Sequence, residues 1–275
     1  MYGEKTAEAG IPFHCGTIVC LFSRGVEAQD ANLIDGVGGR IIEDGDIIIG
    51  DRGDYFWMYE NGSGGVIGKS HTGYEKWDEM VACDVNGDGR AEIIQGDRST
   101  DKIYIYDMYG NELGKHNVNF EAGDDLACGD VDVDGKAEII HADRNNWIHI
   151  FDGNFNLVNQ FKVDDFADGD AIGAGDFDGD GIAEIIHADA SEDTLSVYDV
   201  NGNSLGMIEV DSFDIHGRDE MTTGDVDMDG LDEVVIATQD SKKRGSISSS
   251  SRMTAHSSRG TRSGHLYYLL TRVTE

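Results

Sequence analysis

A nine-residue pattern, DVNGDGRAE at 84–92, recurs as DVDVDGKAE at 130–138, DFDGDGIAE at 176–184 and DVDMDGLDE at 225–233. The first residues, Asp84, Asp130, Asp176 and Asp225, are separated by 46, 46 and 49 positions. Self-similarity at such a period means that one supersecondary unit has been copied and stacked, because a single unit cannot bury its own apolar faces. Any fold for this chain must therefore deliver a cluster of acids to the same place in each unit.

The remainder of the period reads as strand. EIIQGD, EIIHAD, EIIHAD and EVVIAT follow the four loops as β-branched runs, which suit a pleated, buried surface. KIYIYD, WIHIFD and TLSVYD come next, alternating apolar and polar as a half-buried strand does. YGNEL at 109–113, NFNLV at 154–158 and NGNSL at 201–205 then supply Asn and Gly for the positive φ of tight hairpins. A further strand follows, and DLACGDV, DAIGAGDF or EMTTGDV leads into the next acid loop. An older repeat is visible in DIIIGD at 46–51 and YFWMYENG at 55–62, although its loop region, GVGGRIIED at 38–46, has lost the alternating acids. Four antiparallel strands per unit and five units predict an all-β chain, a β-propeller of about five four-stranded blades.

Within the loop, oxygen-bearing side chains at positions 1, 3 and 5, a backbone carbonyl at 7 and an acid at 9 surround one small volume, the shell that calcium prefers. Two carboxylates about 4 Å apart repel by roughly 4 kcal/mol at an effective dielectric near 20, and a divalent cation removes that repulsion. Glycine at 89, 135, 181 and 230 lets the chain reverse so that positions 5 and 9 face the same ion. An EF-hand is excluded: it needs a bidentate Glu at position 12 and flanking helices, whereas position 12 here is Gln95, His141, His187 or Ile236 and strand sequence flanks the loop.

These DxDxDGxxE loops, each followed by a strand on a blade-length period, resemble FG-GAP/VCBS repeats, the calcium-loop blades of integrin α-chain propellers and of related lectins and secreted enzymes. The resemblance spans about residues 31–238. It implies about four calcium ions, ligated by Asp84, Asn86, Asp88, Glu92 and the Arg90 carbonyl; by Asp130, Asp132, Asp134, Glu138 and the Lys136 carbonyl; by Asp176, Asp178, Asp180, Glu184 and the Ile182 carbonyl; and by Asp225, Asp227, Asp229, Glu233 and the Leu231 carbonyl. The Gly-Ala-Pro half of the integrin signature is missing, Pro12 being the sole proline, so an integrin-type receptor role gains no support.

A formal net charge of −33 argues against nucleic acid and anionic membranes as partners and for cations. No apolar run approaches the ~18 residues of a membrane-spanning helix. Residues 239–275 carry seven Lys or Arg against Asp240 and Glu275, leaving about −38 on the rest. That contrast, with the Ser-rich basic stretch after Thr238, divides the chain into an N-terminal segment 1–30, propeller repeats 31–240, and a C-terminal segment 241–275 of foreign composition that reads as disordered or as a non-native end. HLYYLLTRV at 265–273 is the one later stretch that reads as strand. The N-terminus has early acids and a five-residue apolar run, IVCLF, and lacks the features of a secretory signal; the protein stays inside the cell, or its start is incomplete.

Cys15, Cys20, Cys83 and Cys128 form neither a disulfide framework nor a CxxC pair, and Cys83 and Cys128 read as small buried hydrophobes in strands. Arg52-Gly53-Asp54 falls where later repeats have DRST and DRNN, so it reads as an inherited turn. His141 and His187 share a repeat position, and blade-related positions do not converge on a zinc ion. Tyr55, Phe56, Trp57, Tyr59, Trp77 and Trp147 would suit sugar stacking but read as packing between blades. With no nucleophile and base pair in view, the expectation is a non-enzymatic, calcium-stabilised binding module for a glycan or protein, lectin-like in character. The calcium-loop type favours an extracellular setting, since extracellular calcium modules bind at about 10⁻⁴ to 10⁻³ M. The alternatives are a polysaccharide-acting enzyme resembling rhamnogalacturonan lyases, or a fragment without activity of its own.

Overall fold

A computed structural model describes residues 18–20, 47–51, 54–59, 66–75, 78–107, 109–167, 169–209, 220–225, 231–237 and 268–270. The first sheet is β1 (Ile18–Cys20), β2 (Ile47–Asp51), β3 (Tyr55–Tyr59) and β4 (Val66–His71). The second is β5 (Glu79–Cys83), β6 (Glu92–Asp97), β7 (Lys102–Tyr106) and β8 (Glu112–Asn117). The third is β9 (Asp125–Gly129), β10 (Glu138–Asp143), β11 (Trp147–Phe151) and β12 (Leu157–Lys162), and the fourth β13 (Ala171–Gly175), β14 (Glu184–Asp189), β15 (Thr194–Tyr198) and β16 (Ser204–Glu209). Each of these is a four-stranded antiparallel meander in chain order. Among the described residues no helix is long and apolar enough to cross a membrane.

Strand identity follows from what lies on each face. β6, β10 and β14 are buried along almost their whole length, because a strand covered on both sides needs continuous rather than alternating apolar sequence. β7 and β11 alternate, with Ile103, Ile105, Ile148 and Ile150 inside, and β8 and β12 are largely exposed. Four apolar layers lie between successive sheets. Ile48, Phe56, Tyr74 and Ile93 join the first to the second; Ile94, Ile105, Phe120 and Ile139 the second to the third. Ile140, Ile148, Phe166 and Ile185 fill the next layer, and Ile186, Leu195 and Val234 the last. Each fully buried Ile contributes about 1.5–3 kcal/mol, so stability resides between units, as the repeat pattern requires.

The hairpins between third and fourth strands share one construction. Asp107, Asp152 and Asp199 each accept two backbone N–H groups and the side-chain amide of the Asn four residues on, and a bulge interrupts the ladder beside each turn. Gly110 and Gly202 take positive φ there as expected, but in the third sheet the residue is Phe155 (φ 61°). A left-handed non-glycine residue costs about 1–2 kcal/mol; Phe155 offsets this by stacking its ring on His116 at 5.3 Å.

The ends depart from expectation. The fifth sheet has β17 (Glu220–Gly224), β18 (Glu233–Ala237) and β19 (Tyr268–Leu270), and β19 pairs parallel to β18. A third strand joined by a tight hairpin must run antiparallel; the repeat's third-strand sequence is lost after Ala237, and a segment arriving from far along the chain is free of that constraint. The first sheet likewise takes β1 from Ile18–Cys20, where the 46-residue period places its first strand at 33–37. Both terminal sheets thus use strands from outside 31–240. The rest of 1–30 and 241–275, the loop region 38–46 and Arg52-Gly53 lie outside the described residues.

The cysteines overturn the reading as free buried thiols. Cys83 and Cys128 form a disulfide between β5 and β9, the first strands of neighbouring sheets. Stacking sets these strands side by side, so two cysteines 45 residues apart, one short of the period, come into bonding reach.

Candidate metal loops and the buried acids of each sheet

The acid loops connect the first strand of each sheet to its second, and three are described in full. In each, the position-1 carboxylate caps the turn. Asp84 accepts the N–H groups of Gly87 (2.6 Å) and Gly89 (2.7 Å); Asp130 those of Val133 (2.7 Å) and Gly135 (3.0 Å); Asp176 those of Gly179 (2.6 Å) and Gly181 (2.9 Å). The position-9 glutamate reaches back to the start, with Glu92, Glu138 and Glu184 accepting from the N–H of Val85, Val131 and Phe177 at 3.2, 3.0 and 2.9 Å. Gly89, Gly135 and Gly181 adopt φ of 83°, 85° and 90°, the reversal expected of position 6. Position 4 is left-handed too, as Gly87, Val133 and Gly179, a requirement hidden in the sequence because the second loop meets it with valine.

Acid side chains converge. Asp130, Asp132 and Glu138 each offer an oxygen within 4.8 Å of the others, and so do Asp176, Asp178 and Glu184. The position-5 acids do something else: Asp88, Asp134 and Asp180 accept the N–H of Arg90, Lys136 and Ile182. In the first loop Asn86 stands at position 3, and its Nδ2 donates to Glu92 Oε1 at 2.7 Å. Of the fourth loop, Asp225, Leu231 and Glu233 are described, while Asp227, Asp229 and Gly230 lie outside the described residues.

Successive loops are tied to one another. The Ala137 N–H donates to the Asp84 carbonyl (2.8 Å), Ala183 to Asp130 (2.9 Å) and Asp232 to Asp176 (2.9 Å). Position 8 of each loop is thus bonded to position 1 of the loop before it, and the acids form a continuous seam across four sheets.

Electrostatics mark the glutamates. Burial, reinforced by Asp88 and Asp84, pushes Glu92 up to about 7. Burial and three neighbouring aspartates push Glu138 up to about 7 and Glu184 to about 8. Buried carboxylates without a counter-charge favour the protonated form; a cation in the cluster inverts that preference. A donor set made only of carboxylate, amide and carbonyl oxygen suits a hard ion and not zinc or copper.

At the opposite end of the sheets lies a second series of buried acids that the sequence reading passed over. Asp78, Asp124 and Asp170 are 46 residues apart. Each accepts an N–H from three residues earlier, and another from Arg98, Arg144 or Ala190 in the turn after the second strand. Their side-chain partners are Gln95 Nε2 (3.1 Å), His141 Nε2 (3.1 Å) and His187 Nε2 (3.2 Å). His141 and His187 therefore serve their own sheets, as expected from blade-related positions. The periodicity that exposed the loops also holds for these acids, and it was the available signal.

The chain matches no known family profile and no curated protein. Many solved structures are similar in fold. BBS1N in complex with ARL6DN, soaked with lead, shares 10% identity at a TM-score of 0.50, covering 76% of this chain and 56% of that one. An Agrocybe aegerita lectin that recognises non-reducing terminal N-acetylglucosamine shares 15% identity (TM-score 0.48, 70% and 57% covered), and the Neurospora crassa Pan2 WD40 domain 11% (0.43, 60% and 46%). The chain spans about half the length of these structures. At such identities the likeness is one of fold alone: all-β and propeller-like.

Proposed function

We propose that this chain is a calcium-stabilised, non-enzymatic binding module whose ions are structural, built from FG-GAP/VCBS-type repeats. The observation that carries the reading is the seam itself: converging acids, with glutamates driven toward protonation, in loops hydrogen-bonded from sheet to sheet. Asp130, Asp132 and Glu138, and Asp176, Asp178 and Glu184, would hold the ions most directly. Bound calcium would supply the positive charge that the loops lack, which fixes the spacing of the sheets and leaves the remaining surface to a glycan or protein ligand. The Cys83–Cys128 disulfide supports an oxidising, extracellular setting, where calcium is plentiful.

Melting the purified protein with calcium and with excess EDTA tests this. A ligand that binds only the native state at one hundred times its dissociation constant stabilises by about 2.7 kcal/mol per site, so chelation of several loops lowers the transition by tens of degrees, and calcium restores it. An unchanged transition, or no bound metal by elemental analysis, overturns the proposal.

A further inference from the structure

We propose that the cleft between the second and third sheets binds carbohydrate, with His141, His149 and Phe151 as its floor and Asp101, Asn117 and Asn119 as its rim. This rests on the binding-module reading and names the ligand class for it. The cleft is open to solvent, with a volume of about 540 Å³, within the range of small-ligand sites.

The floor is an aromatic layer in which His141 and Phe151 are buried and His149 is partly exposed. On β11, Trp147, His149 and Phe151 point to one face, with ring centroids 6.2 and 6.1 Å apart, and His141 from β10 stacks on His149 at 5.8 Å. The position of His149 is Tyr104 in the second sheet and Ser196 in the fourth, so this pair of stacked imidazoles is not inherited from the repeat. The rim is rigid. Asp101 and Asn119 both take positive φ, and the Asp101 carbonyl accepts the N–H of Val118 (3.1 Å) and Asn119 (3.2 Å).

Polar groups line the cleft. Asn117 and Asp101 are exposed and take part in no side-chain hydrogen bond among the described residues, so they are open to a ligand. His141 is 1% exposed and its Nδ1 has no partner. Asp124, already accepting from Glu121 and Arg144, accepts from His141 Nε2, which leaves Nδ1 as the polar atom of the ring without a partner. An unsatisfied buried polar atom is unfavourable, and a ligand hydroxyl, which can donate or accept, relieves it directly or through one water. The cleft lining contains no Lys or Arg, which disfavours phosphate or carboxylate ligands. A pyranose suits this lining instead: its C–H face can lie against the partly exposed His149 ring, and its hydroxyls can bond planar amide and carboxylate groups in both donor and acceptor roles.

The full chain in calcium is screened by saturation-transfer NMR against methyl glycosides of glucose, galactose, mannose, fucose and N-acetylglucosamine, and hits are titrated by calorimetry. At least one glycoside should bind with a dissociation constant of about 0.1–1 mM. Asn117→Ala and His149→Ala should each weaken it about tenfold while leaving the calcium-loaded melting transition in place. No binding at about 10 mM glycoside, or binding indifferent to both substitutions, overturns the site. A protein that still melts in a calcium-dependent way under either result keeps the binding-module reading and loses only this cleft.

Discussion

The second, third and fourth sheets each bury an acid side chain at both ends, and the two ends treat it differently. At one end, Asp170 would be pushed up by burial, but the hydrogen bond from His187, the N–H groups of Ala167 and Ala190 and the charge of His187 hold it below the ordinary carboxylate range. At the other end of the same sheet, Glu184 has one backbone N–H and three aspartates for neighbours and rises to about 8. The chain supplies a hydrogen-bonding partner internally at the histidine end, whereas at the loop end Glu184 has aspartates for neighbours and, in the proposed function, a cation would supply the missing charge. A buried charge needs a partner, so on that proposal only the loop end would make folding depend on what the solution contains.

Removing the internal partner should produce the larger effect of a single substitution. His187→Ala strands Asp170, and breaking a buried pair in this way costs about 3–5 kcal/mol. Because no metal is involved, the loss in urea unfolding should be the same with calcium and with chelator; a loss confined to calcium-loaded protein would break the comparison. Glu184→Gln should behave oppositely. With calcium it forfeits one site, about 2.7 kcal/mol at one hundred times the dissociation constant; with chelator it removes a carboxylate that the empty loop disfavours, so the variant should equal or exceed the parent at pH 8. Equal losses in both conditions would mean that Glu184 is merely structural.

The two ends also carry opposite pH signatures in the metal-free protein. Glu92, Glu138 and Glu184 have folded values of about 7, 7 and 8, above the ordinary 4.5, so the folded state holds their protons more tightly. Their contribution is complete below about 4.5 and is lost as pH rises through 7–8. Asp170 lies below its ordinary 3.8; its contribution is complete above that value and is lost as pH falls past the folded value. Metal-free protein should accordingly be most stable near pH 4–5 and clearly less stable at pH 8. Calcium, which displaces the loop protons, should move the optimum above 7. Urea midpoints across pH, with and without EDTA, read this directly, and an optimum unmoved by calcium refutes it.

Most of the second to fourth sheets was legible in the sequence because repetition averages out local ambiguity: EII(Q/H)(G/A)D appears three times, and each copy is a buried second strand. The loops were legible for the same reason, down to the positive φ of Gly89, Gly135 and Gly181. What escaped depends on contacts across sheets. The Cys83–Cys128 bond joins two units, and reading each unit alone shows two scattered thiols. Phe155 takes a glycine's conformation because His116 of the neighbouring sheet receives its ring. Asp78, Asp124 and Asp170 sit just ahead of first strands, where an acid reads as an exposed turn residue; only the second-strand partner reveals that each side chain is buried. β19 could not be paired from sequence because nothing in YLL specifies a partner.

The second sheet offers the finest test, because it is an intermediate case that the chain has already built. Asp78 occupies the place of Asp170, but its partner is Gln95, an amide that donates a hydrogen bond without charge. Burial, aided by Asp97, leaves Asp78 raised to about 6 despite N–H groups from Glu75 and Arg98. Gln95→His should convert this end to the arrangement of the fourth sheet and bring Asp78 down to or below the ordinary range. An amide and an imidazole differ little in bulk, and a hydrogen bond to a charged group exceeds a neutral one by roughly 1 kcal/mol, so the gain at pH 7 should be about 1 kcal/mol, the smallest of these effects. NMR titration of the Asp78 carboxyl measures the shift independently of stability. If the carboxyl still titrates near 6 beside the new histidine, burial rather than the missing counter-charge governs these acids, and the contrast between the two ends would need another cause.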